Sequence, residues 1–218
     1  MADSTAAGLA VELAEAASGA EQEKIRRRMT DPACEVRGVR MRTLFDLARA
    51  HTGMPLAEVD LLLQSDCYEE RMAGVSILDF KARRTGITPE ERHALYALWM
   101  RRIEFFDTWD YIDRAAPRVL GGYLLDQPRT VLFRLARSGS LWHRRTAITA
   151  AFWIIRAGDL DDPLALCEIL AADQERFVQT SVGVALREVG RVDRARFDEF
   201  LGRRGDELSA EARHTARS

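Results

Sequence analysis

The chain has 218 residues, 47% hydrophobic and 30% charged, with a formal net charge of −2, enough apolar content for a sizeable core without covalent staples. Its three cysteines, Cys34, Cys67 and Cys167, are odd in number, widely spaced and without a CxxC, which excludes a disulfide framework and a zinc finger. The opening MADSTAAGLAVELAEAA carries Asp3, Glu12 and Glu15 where a secretory signal carries Lys or Arg, and no apolar run approaches membrane-spanning length; a cytoplasmic protein with no membrane partner is expected. Residues 1–23 hold five acids and no base, so the remaining chain carries a formal +3. Of 32 basic residues only Lys24 and Lys81 are lysines, leaving 30 arginines. Arginine is the better fork for phosphate, but a skew of this size also follows from GC-rich codon usage, so charge permits DNA binding without demanding it.

Apolar residues recur at spacings of three and four with no sustained alternation, which predicts an all-α protein. In chain order, helices are predicted over 5–28, 36–50, 55–64, 68–84, 88–103, 108–122, 128–137, 142–157, 161–171, 175–189, 194–203 and 207–216. Between them stand HTGMP at 51–55, RTGITPEE at 84–91 with a helix-starting Thr-Pro, RAGDLDDP at 156–163, and Gly190, the punctuation of tight turns between antiparallel helices. The blocks RMAGVSILDFKARR, RRTAITAAFWIIRAG and FVQTSVGVALREVG repeat one plan, a polar turn followed by small and large apolar residues at helical spacing. That is how stacked helix pairs bury shared faces, and it predicts a curved stack with a concave binding face. We expect one domain over 1–218, beginning with an acidic helix at 1–28.

The segment FFDTWDYIDRAAPRVLG, residues 105–121, gathers aromatics and carboxylates. A helix from about Thr108 sets Trp109 and Asp113 four residues apart on one face. On spacing alone an ordinary helix start is the preferred reading: Asp107 or Thr108 as cap, Asp110 in the first turn, Trp109 in the core. Trp99, Trp153, Phe105 and Phe106 also read as core. His51, His93, His143 and His214 show no ligand spacing, so no metal centre is expected.

Taken in order, WDYID from Trp109, a glycine at 121 or 122, LWHRR ending at Arg145, IIRAG, and SVGVALREVG at 181–190 resemble the AlkD-like DNA alkylation repair glycosylases. VRGVRMRTLFDLAR and CYEERMAGVSIL extend the resemblance over about 34–201. It implies a HEAT-like repeat fold that binds double-stranded DNA as a monomer and hydrolyses the N-glycosidic bond of a cationic N3- or N7-alkylated purine, without metal or cofactor. Carried over by position, the family's WDxxD pattern makes Trp109 the cleft tryptophan and Asp113 the catalytic carboxylate. Its backbone-reading arginine falls on Arg145. Its second tryptophan, in GWxLRE, meets Val184 after Gly183, a departure from the pattern. Arg40, Arg42, Arg71, Arg114, Arg144 and Arg187 are further candidates for DNA contact, each with an alternative as a surface or ion-paired residue; Arg187 beside Glu188 leans to the latter. Two other functions stay open, a DNA-binding relative with weakened excision and a helical-repeat scaffold.

Overall fold

A computed structural model describes residues 4–29, 31 and 33–218. Among them are thirteen α-helices and, in place of sheet, only two isolated bridges, Ala17 with Val39 and Glu35 with Cys67. The predicted all-α, helical-repeat architecture is therefore found. The chain divides into two compact units, the first ending at Ala115 and the second beginning at Ala116.

The first unit contains α1 (Ala6–Glu15), α2 (Gly19–Arg26), α3 (Met41–Ala50), α4 (Leu56–Leu63), α5 (Tyr68–Ala82), α6 (Pro89–Arg101) and most of α7 (Trp109–Ala116). Local chemistry sets many of the starts. Thr5 accepts from Gly8 N, and Thr88 forms a reciprocal capping box with Glu91 ahead of Pro89, satisfying amide groups the first turn leaves without partners. Contacts from Arg37 to Glu69 and from Arg49 to Phe80 both span 31 or 32 positions in the same sense, so α3 and α5 run parallel.

Two stretches predicted as helix are not. The 5–28 helix breaks at residues 16–18, where Ser18 N donates to Gly38 O and the Ser18 side chain caps α2. The 36–50 helix starts only at Met41 because the amides of residues 37–39 turn toward a carboxylate. Glu69, fully buried, accepts from the amides of Arg37, Gly38 and Val39 at 3.0, 2.7 and 3.2 Å. A buried carboxylate is strongly costly unless its oxygens are hydrogen-bonded, so this tertiary demand outweighs local helix preference. Gly38 has φ +95°, and a Cβ there would sit 2.3 Å from Ser18 O, so only glycine fits.

The second unit opens with a π-helical turn at Pro117–Gly121 that continues from α7. Pro117 lacks an amide and its ring crowds the preceding turn, which a wider π turn relieves. A Cβ on Gly121 would meet Ala150 O at 2.2 Å. There follow α8 (Thr130–Ala136), α9 (Leu141–Arg156), α10 (Asp161–Leu170), α11 (Arg176–Val192), α12 (Arg194–Arg204) and α13 (Ala210–Arg217). Arg145 with Phe177, Thr149 with Ser181 and Arg156 with Glu188 are each 32 positions apart. Hence α9 and α11 lie parallel and in register, as do α3 and α5 in the first unit. The three similar sequence blocks are these helices: α5, α9 and α11. No helix among the described residues is long and apolar enough to cross a membrane.

Candidate active site

Helix α7 is short, and its buried residues Tyr111, Ile112, Ala115 and Ala116 fix its orientation. The opposite face presents Trp109, half-buried, and Asp113, exposed, one turn apart. Asp110, in the first turn, is engaged internally. Asp110 accepts a short hydrogen bond from the Tyr68 hydroxyl, which in turn accepts from Arg28 Nη2 at 3.0 Å, and Arg28 stands 3.9 Å from Asp110. Burial, and then the neighbouring Asp110 carboxylate, push the Tyr68 phenol well up, so it remains a proton donor. The Tyr111 hydroxyl donates to Tyr68 O at 3.1 Å. Tyr68 therefore ties the first turn of α7 to the first turn of α5.

On the other side, the Arg114 guanidinium lies 4.3 Å from the Phe45 ring centroid and 4.7 Å from that of Phe80. It pairs with Asp79 at 3.1 Å and donates to Ser76 Oγ at 3.2 Å. Asp79 is fully buried and also pairs with Arg83 at 2.6 Å. Arg114 thus fastens α7 to α3 and α5. Arg71 is likewise engaged inside the first unit. It is 6% exposed, donates to Phe105 O and Asp107 at 3.0 Å each, and stands over the Tyr111 ring. Asp107, a proposed cap, is held by Arg71, and Thr108 is buried.

In the second unit Arg145 is 5% exposed and donates to Phe177 O, a contact from α9 to α11. Arg144 grips Asp173 with Nε at 2.6 Å and Nη2 at 3.3 Å, and gives Nη1 to Ser138 O and Gly139 O. Of the arginines predicted to meet DNA, Arg40 and Arg42 are exposed, Arg40 with Glu21 at 3.5 Å, and Arg187 is partly exposed with Glu188 at 3.9 Å. Val184 is half-buried on α11. Gly183 beside it allows α11 to meet α13 closely, since a Cβ there would stand 2.7 Å from Ala212 O. Trp99 and Phe106 are core, their rings 4.1 Å apart, and Phe105 is half-buried. Trp153, read as core, is half-buried under the Arg118 guanidinium, 4.8 Å from the ring centroid.

Sequence reasoning missed Tyr68 and Arg28 as the groups that hold α7. The only local signal was the Tyr in CYEE, an aromatic with a polar tip that finds a partner when buried.

A carboxylate presented to solvent beside an indole can oppose positive charge and accept a proton from water. The model of the DNA alkylation repair enzyme family matches residues 9–218. A solved structure of a predicted DNA alkylation repair enzyme from Enterococcus faecalis superposes with a TM-score of 0.73 at 16% identity, covering 93% of this chain and 95% of that one. No curated protein matches the chain. The family match over nearly the whole sequence establishes that the chain belongs to the DNA alkylation repair enzyme family.

Proposed function

We propose that the protein is a DNA glycosylase that releases cationic N3- or N7-alkylated purines from duplex DNA. The observation that carries this reading is the placement of Trp109 and Asp113 one turn apart on one face of α7, with Asp113 exposed. A cationic purine is already a good leaving group and takes the bonding electron pair from C1′ as a neutral base. The barrier lies in the positive charge left on the deoxyribose. Asp113 opposes that charge and takes a proton from the water that adds to C1′. Trp109 offers its π face to the cationic sugar, an interaction of about 0.5 to 2 kcal/mol depending on desolvation. Affinity comes from the phosphate backbone and falls with salt, with Arg40, Arg42 and Arg187 the carriers among the arginines singled out in the sequence.

A second reading rests on one position. Val184 stands where the family pattern has a tryptophan, which favours a DNA-binding relative with weakened excision. Single-turnover release of 7-methylguanine from methylated duplex separates the two. We expect wild type to exceed the spontaneous rate and Asp113→Asn to lower it by ~10²-fold or more, the loss usual for one preorganised electrostatic group, with duplex affinity little changed. Wild type at the spontaneous rate selects the second reading, and an undiminished Asp113→Asn removes the carboxylate from the mechanism.

A further inference from the structure

The second unit carries a cavity of about 680 Å³ bounded by α11, α12 and the end of α13. Its lining includes Arg187, Arg191, Arg194 and Arg217 against a single side-chain carboxylate, Asp198. We infer that this cavity is a phosphate-binding site. Four like charges around one hollow repel each other, and the chain neutralises them only in part. Arg191 pairs with Glu188 at 2.7 Å and Arg194 with Asp198 at 2.9 Å. Both are contacts between residues three or four apart whose arginines are more than half exposed, a kind of pair that contributes little and is readily exchanged.

The other two are less committed. The buried Nε of Arg187 has no hydrogen-bond acceptor, and its nearest carboxylate, Glu188 at 3.9 Å, is already taken by Arg191. Arg217 makes no ion pair among the described residues. The Arg194 guanidinium lies over the Phe197 ring, 5.2 Å from its centroid, and is thereby held in place before any ligand arrives. Guanidinium forks match phosphate oxygens two at a time, and a tetrahedral phosphate offers acceptors in enough directions to meet several forks at once. A single carboxylate does not. The hollow is also far larger than a carboxylate requires. The phosphate belongs to a nucleic-acid backbone or to a free phosphate compound; only the first source rests on the DNA-binding reading.

The full-length protein titrated with inorganic phosphate, against chloride at matched ionic strength, should show a saturable rise in Tm. Arg217→Gln and Arg194→Gln, each checked for an unchanged Tm without phosphate, should lose most of it, while Arg27→Gln, just past the end of α2, should keep it. Binding of an undamaged 20-base-pair duplex is then followed against salt. A log–log slope shallower by about 0.9 in Arg217→Gln corresponds to one lost backbone contact and identifies the source as DNA. Phosphate saturation with an unchanged slope, or in a wild type that binds no duplex, keeps the site and identifies the source as a free phosphate compound, even where the DNA reading fails. No saturable phosphate effect in wild type together with an unchanged slope overturns the inference.

Discussion

Replacing Asp79 tests how α7 is held. The carboxylate is fully buried and pairs with Arg83 and Arg114, which carry unequal weight. Arg83 is 39% exposed, so water screens that pair and its contribution is small. Arg114 is 15% exposed and sits between two phenylalanine rings, so the carboxylate's loss exposes a largely desolvated cation to an environment stripped of its counter-charge. Breaking a buried pair from one side costs about 3 to 5 kcal/mol, whereas exchanging both partners for apolar groups is often neutral. We therefore expect Asp79→Ala to lower stability by about 3 kcal/mol or more and the double variant Asp79→Leu, Arg114→Met to recover most of it. With a urea m-value of about 2 to 3 kcal/mol/M, the single variant's midpoint falls by about 1 M or more. Urea unfolding followed by tryptophan fluorescence measures both. A midpoint shift below about 0.3 M, or a double variant no better than the single, refutes the assignment of Asp79 and Arg114 as one buried unit.

Arg145→Ala should cost about 1.5 to 3 kcal/mol of stability, the range for a charge-assisted hydrogen bond such as that to Phe177 O; lost duplex affinity with an unchanged urea midpoint would return Arg145 to the DNA-contact role. Arg102 hydrogen-bonds Asp60 and, against opposing burial, holds its carboxyl below the ordinary 3.8 with help from Arg101. Its contribution is thus present above about pH 4 and is lost as pH falls through the lower folded value. The Tm gap between wild type and Asp60→Asn should accordingly be constant from pH 7 to 5 and close below pH 4; a gap that widens in acid contradicts the sign. Val184→Trp should raise single-turnover release of 7-methylguanine if the family pattern governs this position, and an unchanged rate detaches Val184 from excision.

The helices that pack in register were legible because their code is local. In α5, α9 and α11 small and large apolar residues recur at three and four, and most of those positions are buried. Residues 36–40 were not legible, because their conformation is decided by Glu69, some 30 positions later, whose buried oxygens need the amides of 37–39. The arginines divide in the same way. Composition permitted phosphate contact by any of them, but Arg71, Arg114 and Arg144 are engaged by Asp107, Asp79 and Asp173, acids 29 to 36 positions away. Only the fold decides which guanidinium meets which carboxylate. Arg191 and Arg194, spaced four and three after Arg187, carried a periodic signal of their own that the motif-centred reading passed over.

The same long-range contacts bear on what α7 can do. An eight-residue helix is marginal in isolation, so its geometry is set by what grips it: Tyr111 and Ile112 in the core, Tyr68 on Asp110 at the first turn, and Asp79 with two aromatic rings on Arg114 in the last. Asp110 and Arg114 are thus fixed through polar or cationic groups, and Asp113, one turn from the indole, is exposed. A transition state that develops charge gains most from a group that need not reorganise when the charge appears. The cost of holding α7, which carries Asp113, is met when the unit folds, by buried contacts such as Asp79 with Arg114. Stability of the first unit and rate of base release should therefore fall together in Asp79→Ala, even though Asp79 is fully buried and lies outside the reacting groups.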